Sequence, residues 1–202
     1  MTKESERLQT ALALFDAANA EDPNRDADQG KDYPKELLYA MRMSEMLERV
    51  APQASEAVRL AVRAQHIQRW KIPRRDYPMT PQGYQNWRTT LYRFHADKAA
   101  ELMAQAGYDE EMIERVKKIV SKRGIKVNAE TQLMEDVVDL VFIEHYMTAF
   151  VAQHPEYDEA KWIDIVHKTW KKMSAFGHEA ALNKIKLPSH LVPLILKAVG
   201  AG

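Results

Sequence analysis

Cysteine is absent from this chain of 202 residues. Disulfides and thiolate-held metals are excluded, and a reducing, cytoplasmic setting is the expectation. Any metal would fall to His, Asp, Glu or Gln. Long apolar runs are missing too. No stretch approaches the roughly 20 residues that span a bilayer, so no membrane partner is expected. The opening "MTKESERLQTALALFDAANAED" lacks a basic start, and charges interrupt its apolar residues, unlike a secretory signal. Net charge is a third absence: Lys+Arg and Asp+Glu both total 29. That balance argues against a binder of extended nucleic acid. Neither Gly-x-Ser-x-Gly nor a Gly-rich phosphate loop occurs, and no strand pattern or repeat stands out. The paired histidines at i and i+4 of a zincin are missing as well.

What is present is helical periodicity. A chain of this length can bury roughly 70% of its unfolded surface, so a core needs no covalent staples. The spacing predicts an all-α, single-domain helical bundle over residues 1–202. Its N-terminal helix covers 4–20, and C-terminal helices cover 158–199. Residues 21–33 read as a polar loop. Ser55 is a cap for a helix whose inward stripe is Ala57, Leu60, Ala61, Ala64 and Ile67, running on to Trp70. "KIPRRDYPMTPQG" is a Pro-dense loop. Long helices follow, stopped at Gly107 and Gly124. Residues 128–155 form the most apolar helix, and 174–188 read as a peripheral tail segment. The Met-rich "YAMRMSEML" suits the core better than a dimer face.

"AVRAQHIQRWKIPRRDYP", residues 61–78, carries more chemistry than packing requires. From Arg59 to Arg93 there are eight basic residues against Asp76, a local net of +7 on a neutral chain. Such a patch fits a compact anionic ligand, or merely a solvated face. Helical spacing puts His66 and Arg69 one turn apart, able to face one cavity. Gln65 and Trp70 adjoin them, and Arg74, Arg75, Trp87 and Arg88 would line the loop side. Guanidiniums prefer phosphate or carboxylate, and indoles stack on planar groups. The expected ligand is a phosphorylated, nucleotide-like small molecule. The plainer alternative has Trp70 and Trp87 sealing the core while the arginines bridge to acids such as Glu101.

His66, His95 and His145 sit in or beside apolar stripes. Singly, each suits a hydrogen-bonded core position. Imidazoles together with Glu135, Asp136, Asp139 and Glu144 would suit a divalent ion such as Mn, Fe, Zn, Co or Ni. Only one of the Glu135/Asp139 and Asp136 faces is expected to point inward. Asp136, bracketed by Leu133, Val137 and Leu140, is the favoured inward acid, and it would need a partner there.

Two resemblances add to this reading. Gln-His-Ile-x-Arg-Trp-x-x-Pro-Arg, residues 65–74, resembles the hallmark of an uncharacterised family of bacterial and plant proteins, and that likeness covers nearly all of the chain. More distantly, "VRLAVRAQHI", "HADKAAELMAQAGYDEEMIERVKKIV" and "QLMEDVVDLV" resemble successive helices of HD-domain metal-dependent phosphohydrolases, giving an HD-like core of about 34–150. That likeness implies a metal on His66, His95 and Asp136, with His66 and Asp136 catalytic and Gln65 nearby. The His-Asp doublet itself is absent, and no His stands at Met41–Met43. Three functions follow: a phosphohydrolase, a metal-free ligand-binding or regulatory module, and an iron-dependent oxygenase.

Overall fold

The computed structural model describes residues 3–200; residues 1–2 and 201–202 of the expected domain lie outside the described residues. Helix α1 (Lys3–Ala20) leads to a hairpin of β1 (Arg25–Asp28) and β2 (Lys31–Pro34), then to α2 (Lys35–Val50) and α3 (Glu56–Ala64). Two 3-10 turns, Arg69–Lys71 and Arg74–Asp76, precede α4 (Pro81–Gln105) and α5 (Glu110–Val120). Next, α6 (Ala129–Val141) passes through a π turn at Phe142–Tyr146 into α7 (Met147–Gln153). The described chain ends with α8 (Glu159–Lys172), α9 (Ala175–Asn183) and α10 (Val192–Gly200). The helices start where short polar side chains can satisfy orphan backbone donors. Ser55, Thr80, Asp109, Asn128, Asp158 and Ser174 each accept the N–H three residues on.

The bundle is built around α3. Ala57, Val58, Leu60, Ala61, Val62 and Ala64 are all buried, and the small alanines let α1, α2, α5 and α6 approach closely. Of its two arginines, Arg63 reaches back to α1 and holds Asp16 through two bonds of 2.6 and 2.7 Å. One apolar cluster runs from Ala11 to Ala198, and Met43 and Met46 lie fully inside it.

Four local expectations need correction. Residues 21–33 contain the hairpin, not only a loop. Gln29 and Gly30 take φ of 49° and 77°, the mirror-image turn that matches strand twist, and Arg42 of α2 pairs with Asp26 and Asp28. The α3 helix stops at Ala64, before His66. Gln68 takes a left-handed φ of 50°, and its N–H is held by Asn19 Oδ1 at 2.9 Å. The long apolar helix is interrupted where Met147 N–H donates to Phe142 O, a five-residue step of the kind found at functional sites. Residues 174–188 include α9, with Ala180 and Ala181 buried.

Candidate functional site

The chain's unusual stretch reaches a cavity of about 460 Å³. Its sides come from α2, α4, α6, the π turn, α7 and α8, together with the 65–69 turn and Lys122. Tyr39, Tyr84, Tyr92, Phe142, Tyr146 and Phe150 supply aromatic rings. Lys35, Arg69, Arg88, Lys122 and Lys172 face two acids, Glu36 and Asp139. Gln65, His66 and His95 complete the polar lining.

His66 is held on three sides. Its ring stacks on Tyr39 with centroids 4.1 Å apart, and its Nδ1 lies 3.4 Å from Glu36 Oε2. Its Nε2 lies 2.9 Å from Arg69 Nη1. Guanidinium nitrogens only donate, so Nε2 accepts and Nδ1 carries the proton. Burial, and then the charges of Arg69, Lys122 and Arg88, hold the imidazole well below its usual pKa. The left-handed Gln68, fixed by Asn19, swings the backbone so that Arg69 returns to His66. Arg69 is backed by Trp87, whose ring centroid is 4.8 Å from the guanidinium carbon. Trp87 in turn donates its Nε1–H to Ile72 O at 2.9 Å.

His95 sits deeper. Its Nδ1 lies 2.8 Å from Ile67 O, and a carbonyl only accepts, so Nδ1–H is the donor and Nε2 bears the lone pair. Burial holds this imidazole neutral as well. Burial pushes the Glu36 carboxyl up to about 7, although Arg69 and Lys35 pull it down. On α6, burial opposes ionisation of Glu135, but Lys122 and Lys172 outweigh it and leave its pKa lowered. Asp139 goes the other way: burial raises it to about 6 against the pull of Lys172. Lys172 bridges them, 2.9 Å from Asp139 Oδ1 and 3.4 Å from Glu135 Oε1.

Residues 9–195 match the family described as "Domain of unknown function (DUF4202)". The chain belongs to this family. That membership agrees with the 65–74 hallmark, and the HD-domain likeness gains no support from it. No curated protein and no solved structure matches this DUF4202 chain.

The expected site residues of this DUF4202 protein divide into two groups. Gln65, His66, Arg69, Arg88 and His95 are brought together on the cavity. Asp136 is not. It is an inward acid, but so are Glu135 and Asp139, because α6 is covered by α8 and α9 as well as by the central helices. Asp136 Oδ1 accepts from Ser174 N–H at 2.8 Å and Gln132 Nε2 at 3.0 Å, while Oδ2 accepts from Ser174 Oγ at 2.6 Å. Its partner is the start of α9. Trp70, Arg74, Arg75 and Trp87 also lie off the lining: Trp87 supports Arg69 from behind, Arg74 donates to Tyr77 O at 2.9 Å, and Arg75 is exposed. Glu101 pairs with Lys98, not with an arginine.

A divalent ion on His66, His95 and Asp136 does not fit these donors. Both Asp136 oxygens are engaged at α9, the His66 lone pair takes Arg69, and cations outnumber acids around the histidines. Among the described residues, no three His, Asp or Glu side chains group as metal ligands. Nor is any described helix long and apolar enough to cross a membrane. Lys35, Glu36, Tyr39, Lys122, Tyr146 and Lys172 escaped the sequence reading. Glu36 left a signal: it shares a helical stripe with Ala40, Met43 and Leu47, an acid on an apolar face.

Proposed function

We propose that this protein binds a compact phosphorylated small molecule in the aromatic, cationic cavity. One observation carries the reading. Arg69 and Arg88 both line the cavity, and neither has a carboxylate hydrogen-bond partner among the described residues. Arg69 meets a neutral imidazole, and Arg88 meets the hydroxyls of Tyr84 and Tyr92. Both guanidiniums are half-buried. Arg88 has no acid acting on it, and the one beside Arg69, Glu36, is a weak counter-ion because burial raises its pKa to about 7. A partly desolvated guanidinium without a fully ionised partner is costly, so each is poised for an anion. Their planar forks match phosphate oxygens two at a time. Lys35 adds a third cation, whereas Lys122 and Lys172 are already engaged by Glu135 and Asp139. A volume near 460 Å³ suits a metabolite-sized ligand better than an extended nucleic acid.

Isothermal titration with phenyl phosphate, glucose 6-phosphate and AMP tests the proposal. At least one should bind the native chain. Arg69→Gln and Arg88→Gln should each weaken it roughly tenfold or more, the scale of a charge-assisted bond. Failure of all three to bind, or indifference to both replacements, overturns the reading. Following the bound ester by phosphorus NMR separates a phosphohydrolase, which releases inorganic phosphate, from a binding module, which does not.

A further inference from the structure

Among the described residues, six buried side-chain nitrogens or oxygens lack a hydrogen-bond partner. Three of them, His95 Nε2, Asp139 Oδ2 and Tyr146 Oη, belong to residues that line the same cavity. Folded proteins leave few such atoms, so their gathering at one cavity points to a ligand that satisfies them. Two are acceptors. His95 spends its only proton on Ile67 O, which leaves Nε2 with a lone pair. Asp139 spends Oδ1 on Lys172 and keeps Oδ2. Tyr146 Oη lies close to the Arg42 guanidinium, so the two acceptors carry the argument.

We infer that the bound molecule carries hydrogen-bond donors, hydroxyl or amino groups, on its uncharged part, and that His95 and Asp139 select it by accepting from them. This rests on the phosphate reading of Arg69 and Arg88. A bare cation is disfavoured in the same space by Arg69, Arg88, Lys122 and Lys172. The His66 ring flanks that of His95 at 5.9 Å and is held by Arg69. A phosphate that takes the Arg69 donors removes one of the three contacts on His66 and leaves the Tyr39 stack and Glu36 to hold the ring beside His95.

Three aryl phosphates of similar shape provide the test, titrated calorimetrically at pH 8, where Asp139 is ionised. 4-Aminophenyl phosphate adds a donor, 4-methoxyphenyl phosphate adds only an acceptor, and phenyl phosphate adds neither. The amino compound should bind roughly tenfold more tightly than phenyl phosphate, and the methoxy compound should not. Asp139→Asn, which can present N–H where Oδ2 stood, should erase or reverse that order. His95→Phe is the second variant, and it should shrink the amino preference; circular dichroism checks that each variant is folded. Equal binding of all three probes overturns the inference and leaves the phosphate reading standing. Binding of none of them overturns the inference, and the phosphate reading falls with it only if AMP and glucose 6-phosphate fail to bind as well. AMP against glucose 6-phosphate then tells whether the donors are a nucleobase amine or sugar hydroxyls.

Discussion

Gly177 lies inside α9, where replacing glycine by alanine ordinarily stabilises a helix by about 1 kcal/mol. Here the sign should reverse. A Cβ at residue 177 would stand 2.7 Å from Asp136 Oδ1 and 2.8 Å from its Cγ. Asp136 cannot yield freely, because Ser174 and Gln132 hold both its oxygens. Overpacking of this kind costs about 1–3 kcal/mol, and displacing a buried hydrogen-bonded carboxylate costs a similar amount again. Gly177→Ala should therefore destabilise by about 2 kcal/mol. Asp136→Ala alone should cost about 3 kcal/mol, since it strands the Ser174 N–H and leaves a small cavity. In the Asp136→Ala background the two closest atoms are gone, and Gly177→Ala should become neutral or mildly stabilising. The coupling between the two is then about 2–3 kcal/mol. Urea unfolding followed by tryptophan fluorescence and circular dichroism reads each corner of the cycle as a midpoint at constant slope. A stabilising Gly177→Ala in the native chain, or effects that simply add, would refute the assignment of Asp136 to anchoring α9.

The raised Glu36 carboxyl predicts a pH signature. Its pKa goes from the usual 4.5 to about 7 on folding, so the folded state holds the proton more tightly. The stability this contributes is fully present below about pH 4.5 and is lost as pH rises through 7, about 3 kcal/mol in all. His66 and His95 act oppositely: burial lowers them, so stability falls as pH drops below their usual 6.5. Subtracting the unfolding free energies of Glu36→Gln from those of the native chain isolates Glu36. The variant should gain on the native chain between pH 5 and 8, and a flat difference would contradict the burial argument. Metal analysis offers another check. After incubation with Mn, Fe, Zn, Co or Ni ions and desalting, the native chain should retain far less than one equivalent. Stoichiometric metal that disappears in His66→Ala would mean that His66 can leave Arg69 for a ligand set this geometry does not provide.

Much of the helical architecture is local and was legible. Ser55 caps α3 as its side chain requires, and Gly107 takes φ of 84° just past α4, a conformation that favours glycine. Gly124 is not the stop of α5: that helix ends at Val120, and the left-handed residue that closes it is Lys122, with φ of 58°. The chemistry concentrated at residues 65–69 is also local, which is why Gln65, His66 and Arg69 could be singled out. Arg88 and His95 followed from the charge count and the apolar stripe on the next helix.

What escaped depends on partners distant in the chain. Periodicity allots a helix one inward face, but α6 has helices on several sides, so Glu135, Asp136 and Asp139 are all buried. Their roles differ only through what covers them: Lys122 and Lys172 for two, the start of α9 for the third. The left-handed Gln68 is stabilised by Asn19, 49 residues earlier. Without that bond nothing in "QHIQRW" requires the helix to stop before His66. By itself, then, the sequence determined the helices, their caps and the basic, histidine-bearing turn, because propensity and capping act within a few residues. The tertiary structure alone decided that Glu36 and Tyr39 meet His66 and that Asp136 belongs to α9. Side chains tens of residues apart share a cavity only once the bundle has packed.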